Sequence, residues 1–292
     1  HLKLGLAGSA LEAFARNQVK GIRRPIWFVP TTINYALVLE AETLVEDWLT
    51  EEGKARYIIE DDEFSRIDRW VAFFRRIIGL AGACVIRFGR PLDPYGNEVD
   101  DEGRSLAPRG KPIEPASYVT RRGQPTVDEA RDTAYTRELG EELVERYHRD
   151  TVMMSTNVVA HVLFRRLVRS TPGMDLFARL RMRGEVSMAR EELLREVGEV
   201  RDALLGLEDA GRVHVSPFLH SAPPEEILGR ALDVWNGYHS RVAARDMGTA
   251  ITAEDPTLLI YYQNRLCAFA EEMAGEPDRA AAREIHALGV WR

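Results

Sequence analysis

Apolar residues return at every third or fourth position over most of this chain, and two short runs, apolar but for Arg87, break that rhythm in its first hundred residues. Leu6, Leu11, Phe14 and Ala15 share one face of a helix expected over Leu6–Gln18, which Gly21 would close. The run from Pro25 to Pro30 lacks that period and reads as a strand. A second helix is expected over Ala36–Thr50, with Leu37, Leu39, Leu44, Val45 and Trp48 apolar and Gly53 as its stop. A third, from Ser65 to Gly79, would turn Ile67, Trp70, Val71, Phe74, Ile77 and Ile78 inward. The second apolar run, Ala83–Phe88, is the next strand. Helix, strand, helix, helix, strand is α/β order and implies a mainly parallel sheet under helices.

From Asp93 to about Thr126 the rhythm stops. Prolines 94, 108, 112, 115 and 125 alternate with glycines 96, 103, 110 and 123, so 93–127 reads as an irregular connecting excursion. Beyond it the helical period returns. Helices are expected near Asp128–Arg149, Met153–Ser170, Met174–Arg183, Ser187–Asp209, Pro224–Arg245 and Pro256–Ala274, with a short β-type piece at Val213–Val215. The expected organisation is therefore an α/β part (1–92), the excursion (93–127) and a helical C-terminal domain (128–292). No repeat of fixed period is visible.

Composition narrows the function classes. A hydrophobic content of 45% with 29% charged residues is that of a folded protein. The net charge of −7 argues against non-specific nucleic-acid binding. Cys84 and Cys267 lie in apolar stretches and suggest no disulfide framework. No apolar run reaches the roughly 18 residues of a membrane-spanning helix. The sequence starts at His1 and passes from Leu2 straight into helix-type residues, which leads us to expect a piece of a longer chain.

The chemistry collects at the two strand ends. Pro30 fixes the backbone where the first strand stops, Thr31 and Thr32 offer hydroxyls, and Ile33 with Tyr35 offers an apolar wall beside a polar tip. Such a surface suits an acyl chain next to a polar head, although strands that end in Pro-Thr also occur with no ligand. Arg87 and Arg90 flank Phe88-Gly89 at the second strand end; they are either a bidentate phosphate grip or two solvated arginines.

Three blocks in order resemble the glycerol-3-phosphate acyltransferase family. The first is Lys3–Leu6 and its helix, leading to Val29-Pro-Thr-Thr-Ile-Asn-Tyr35. The second is Gly82–Pro91, similar to a family strand that usually ends Phe-Gly-Glu-Pro, with Arg90 in place of the glutamate. The third is Leu258–Leu266, similar to the family's terminal helix, commonly Tyr-Tyr-Arg-Asn-Arg-Leu, with Gln263 in place of the first arginine. The resemblance implies the second half of an acyltransferase α/β core followed by a mainly helical lobe. It implies an acyl-CoA or acyl-ACP donor, glycerol 3-phosphate as acceptor, lysophosphatidate as product and no cofactor or metal. It also implies a peripheral protein on the cytoplasmic side of the inner membrane, with Pro30, Thr31, Thr32, Tyr35, Arg87 and Arg90 as substrate-binding residues.

The family's catalytic His-x4-Asp box is not here. None of His1, His148, His161, His214, His220, His239 and His286 has an aspartate five positions on. His220 with Glu225 comes nearest, across Pro223 and Pro224. This chain alone is therefore expected to be inactive, with no catalytic residue of its own. The alternative is a non-catalytic acyl-lipid or partner-binding protein. Three further features carry less. Glu102-Gly-Arg-Ser105 resembles the family's arginine box but lacks its spacer and its place in the order. The acidic run Glu60–Glu63 lacks a calcium-loop pattern. Ser187–Val215 has the spacing of a winged helix, with Arg190, Arg195, Arg201 and Arg212 interleaved with glutamates.

Overall fold

The computed structural model describes residues 2–51, 84–239 and 241–288. The expected helix Ser65–Gly79 and the run Glu60–Glu63 lie outside the described residues. The chain opens with helix α1 (Gly5–Val19), strand β1 (Thr31–Tyr35), helix α2 (Ala41–Glu51) and strand β2 (Cys84–Phe88). Five short strands follow: β3 (Glu98–Val99), β4 (Ser105–Ala107), β5 (Lys111–Pro112), β6 (Thr120–Arg121) and β7 (Gln124–Pro125). Helix α3 (Glu129–Asp150), strand β8 (Val152–Met153), helix α4 (Ser155–Ser170) and helix α5 (Leu176–Leu180) come next. Strand β9 (Val186–Ala189), helix α6 (Arg190–Asp209), strand β10 (His214–Val215), helix α7 (Pro217–Ser221) and helix α8 (Pro224–Tyr238) continue the chain. It finishes with strands β11 (Ala244–Asp246) and β12 (Ala250–Ala253) and helices α9 (Pro256–Gln263), α10 (Ala270–Met273) and α11 (Arg279–Ala287).

These elements form two compact units, each made of two chain segments. One holds His1–Ile33 and Ile86–Thr151, the other Asn34–Val85 and Val152–Arg292.

In the first unit, α1 lays Leu11, Phe14 and Ala15 into a small core with Tyr95 and Val119. Ala7 joins Leu92, Leu139 and Leu143 in a second cluster. Asp128 caps α3 by accepting the Arg131 N–H at 3.1 Å. Tyr95 stacks on Tyr118 with ring centres 4.3 Å apart and meets Tyr135 edge-on. Asp93 Oδ1 accepts the N–H groups of Tyr95 and Asn97, which pins the turn carrying Tyr95. Residues 93–127 are thus more ordered than their proline and glycine content suggests. They form a β3–β4–β5 antiparallel meander and a β6–β7 hairpin. Strands of two or three residues are too short to show a period of two, which is why the sequence reads as irregular.

The second unit is built around α4, whose Val158, Val159, Val162, Leu163, Phe164 and Leu167 are all buried. A helix apolar on nearly every side sits at the centre of a helical layer rather than on its surface. Leu193, Val197 and Val200 of α6, Ile227, Ala231 and Trp235 of α8, and Leu258 and Leu259 of α9 complete that core. Asp255 caps α9 through the N–H of Thr257. Buried charge is paired: Arg165 meets Glu196 at 2.5 Å, and fully buried Arg179 meets Glu284 and Thr171.

Helix and sheet are mixed, as the sequence implies, but the sheet differs from the expected parallel one. Among the described residues the sheets have two or three strands, and β11–β12–β9 is antiparallel. One pair, β8 with β10, is parallel. The strand expected at Pro25–Pro30 forms at Thr31–Tyr35 instead; upstream, Phe28 makes one isolated bridge to Leu92. A proline at each end of the 25–30 run removes ladder donors there. The expected Ala36–Thr50 helix starts at Ala41. The winged-helix spacing does not produce a wing, because His214–Val215 pairs in parallel with Val152–Met153 rather than in a hairpin. Its four arginines are each neutralised: Arg190 by Asp246 and Glu225, Arg195 by Glu199, Arg201 by Asp202 and Arg212 by Glu272.

Arg122 and Gly123 form the two-residue turn between β6 and β7, both with positive φ, 52° and 78°. That is the hairpin turn in which asparagine is favoured at the first position and glycine at the second. Gly123 suits its place and Arg122 does not. Replacing Arg122 with Asn is expected to raise stability by about 0.5–1 kcal/mol, read as a higher denaturation midpoint with an unchanged slope.

Candidate functional site

The candidate residues fall into the two units. Pro30, Thr31, Thr32, Arg87 and Arg90 belong to the first, Tyr35 to the second. In the first unit the two strand ends do lie side by side, since the Gly89 N–H donates to the Pro30 carbonyl at 2.7 Å. A side chain at Gly89 would collide with Asp150, its Cβ falling 2.3 Å from Oδ2, so this approach requires glycine. Thr32 is buried and donates its hydroxyl to the Asp150 carbonyl at 2.9 Å, a structural use. Thr31 is exposed and bonds back to the Val29 carbonyl. Arg90 faces Glu98 at 3.7 Å. Arg87 is half-buried, and its Nε has no hydrogen-bond partner among the described residues. A cavity of this unit, about 880 Å³, is lined by residues such as Arg23, Arg24, Trp27 and Arg104 and by none of the six candidates.

In the second unit Tyr35 lines a cavity of about 350 Å³ with Val38, Leu44, Asn157, Tyr261, Tyr262, Asn264 and Arg265. Two groups hold its walls. Asn34 is buried, and its Oδ1 accepts the Val152 N–H at 3.1 Å and an Arg265 Nη1–H at 2.9 Å, while its Nδ2 donates to the Val85 carbonyl. Asn157 ties the start of α4 to α9, with Oδ1 accepting the Met154 N–H and Nδ2 donating to the Tyr262 carbonyl at 3.0 Å. The Tyr262 hydroxyl accepts the Val38 N–H at 3.1 Å and lies 2.8 Å from His239 Nε2. Burial lowers the Arg265 pKa; the titratable groups that act against this are Tyr261 and Tyr262, and no carboxylate does.

The sequence gives Tyr35 as a candidate and passes over Arg265, Asn34 and Asn157. One signal was available: Arg265 is the only charged side chain between Asp255 and Glu271, an otherwise apolar and aromatic stretch. A lone guanidinium there must either be paired or face a polar opening.

His161, His214, His220, His239 and His286 have other employment. His220 pairs with Glu208 at 2.9 Å, while Glu225 is held by Arg190, so the nearest approach to a His–acid pair in the sequence is not one in space. His214 also faces Glu208, and His286 Nδ1 meets the Cys267 carbonyl. His239 is neutral at ordinary pH, its pKa lowered to about 4 by burial. His161 is sealed in the core of the second unit, its pKa lowered to about 3 by burial and by the Arg165 charge, against an opposing hydrogen bond with the Gln263 side chain. Among the described residues no group of three or more His, Cys, Asp or Glu side chains is placed to hold a metal ion, and no helix is long and apolar enough to cross a membrane.

No family model and no curated protein matches this sequence. The functional reading therefore rests on the residues themselves.

The buried histidines make stability fall in acid. The unfolded chain takes up a proton on His161 near pH 6.5, whereas the folded chain resists until about pH 3. Stability is thus full above the unfolded pKa and lost as pH falls through this window, by up to about 1.4 kcal/mol per pH unit for this one group. A His161→Gln variant is expected to show a flatter stability profile between these limits, measured by urea denaturation at a series of pH values.

Proposed function

We propose that this chain is part of an O-acyltransferase that moves a fatty acyl group from acyl-CoA or acyl-ACP to a hydroxyl of glycerol 3-phosphate. The order of the three resembling sequence blocks carries the reading. It is supported by a contact between the first and the third, because Asn34 and Arg265 are hydrogen-bonded 231 residues apart. In the reaction the glycerol oxygen forms the new ester C–O bond as the thioester C–S bond breaks. A base takes the hydroxyl proton, and the thiolate leaves and is protonated.

On this reading the base and the oxyanion donors come from sequence upstream of this chain. Pro30, Thr31, Thr32, Tyr35, Arg87 and Arg90 contribute to substrate binding, and the protein works as a peripheral enzyme on the cytoplasmic side of the inner membrane. The second reading is a non-catalytic acyl-lipid or partner-binding protein. His220, the histidine nearest to a His–acid box in the sequence, favours it, because in the structure it pairs with Glu208 while Glu225 is held by Arg190.

The deciding assay takes the native gene product from its source and compares it with chain 1–292, using palmitoyl-CoA and radiolabelled glycerol 3-phosphate. Both proteins are expected to bind palmitoyl-CoA, and the native product alone to form lysophosphatidate. Palmitoyl-CoA binding without lysophosphatidate overturns acyl transfer in favour of the second reading. Failure of both binding and turnover overturns both.

A further inference from the structure

Arg265, part-buried in the wall of the cavity that Tyr35 lines, contrasts with the buried arginines of this protein. The buried ones each meet at least one carboxylate: Arg146 faces Glu98 and Glu142, Arg165 faces Glu196, and Arg179 faces Glu284. Arg265 lies against aromatic and aliphatic side chains, yet no carboxylate is within ion-pair distance of it among the described residues. Its one hydrogen bond among these residues goes from Nη1 to the Asn34 amide oxygen. A guanidinium has five N–H donors, and one neutral acceptor leaves both its charge and most of that capacity unanswered. Taking a cation out of water without a counter-ion is costly, so such a group is informative where it lines an opening.

The rest of the cavity is apolar in a matching way. Val38 and Leu44 form an aliphatic wall, and Tyr35, Tyr261 and Tyr262 add aromatic faces. Tyr35 and Leu44 remain substantially exposed, at 45% and 39%. The amides cannot supply the missing negative charge, and Asn157 is already committed to Met154 and Tyr262. At about 350 Å³ the space is at the small end of ligand cavities, enough for a compact head and a short chain.

We propose that this cavity binds an amphipathic organic anion, a phosphate or carboxylate head carrying a short apolar chain, with Arg265 holding the head and Tyr35, Val38 and Leu44 covering the chain. The site lies wholly within the second unit, and binding there stands whether or not the parent protein transfers acyl groups. The chemistry is that of an oxyanion gripped by a fork of N–H donors, with apolar contact supplying the remainder of the affinity.

The test is titration calorimetry of the full chain with octyl phosphate, octanoate, octanol and inorganic phosphate, each below its aggregation concentration. Octyl phosphate or octanoate is expected to bind at least about tenfold more tightly than either octanol or inorganic phosphate. Arg265→Gln is expected to remove that advantage while leaving octanol binding unchanged. Because Arg265→Gln also removes the bond to Asn34, Leu44→Glu serves as a second variant. It sets a carboxylate at an exposed position of the wall, leaves Asn34 and Arg265 intact, and is expected to abolish binding of both anions. A preference for octyl phosphate over octanoate identifies a phosphate head, and the reverse a carboxylate. The proposal is overturned if neither amphiphile binds at millimolar concentration, if inorganic phosphate binds as tightly as octyl phosphate, or if a folded variant of either kind binds the anions as the parent does.

Discussion

The hydroxyl and carbonyl of Tyr262 hold the second unit to its own distant parts. The ring is buried, tilted against Trp235 with ring centres 5.7 Å apart, so neither polar group can turn to water for a partner. The hydroxyl answers the Val38 N–H, which lies 224 residues earlier, and His239; the carbonyl answers Asn157 at the start of the central helix. A phenol in such surroundings is costly without these bonds and directional with them. The segment before α2, the first turn of α4 and the end of α8 are thereby referred to one residue of α9. Two of these segments, at Val38 and Asn157, line the Arg265 cavity together with α9, so part of its shape follows from satisfying a buried tyrosine.

The long helices were legible because their apolar residues recur with the helical period; the structure adds Asp128 and Asp255 as the caps of two of them. The β parts were less so. Two-residue strands such as Glu98–Val99 carry no period, and the run Pro25–Pro30 is apolar enough for a strand but has a proline at each end. The connection from Val213 to Val215 was recognised as extended, yet its partner, Val152–Met153, lies some sixty residues back in the chain, where local spacing has nothing to say.

The site was legible in the same partial way. Tyr35 is recognisable as a wall residue because it ends a strand beside polar neighbours. Asn34, next to it, is equally polar and more constrained, but its importance comes from Val152, Val85 and Arg265, all remote in sequence. Thr32 shows the opposite error of emphasis: a hydroxyl at a strand end that looks available to a ligand is consumed by the Asp150 carbonyl. Polar side chains advertise chemistry in a sequence, but only their partners decide whether that chemistry remains open.

The interleaving of the two units also sets an order of birth. By the time Thr151 has left the ribosome, every residue of the first unit exists, whereas the second has only Asn34–Val85. At synthesis rates of about 5–20 residues per second, α2 waits on the order of ten seconds for α9. During that interval Ala41 and Val45, which end in the core, have no core to enter. A nascent chain of this connectivity displays one amphipathic helix early, before the core it joins has been translated.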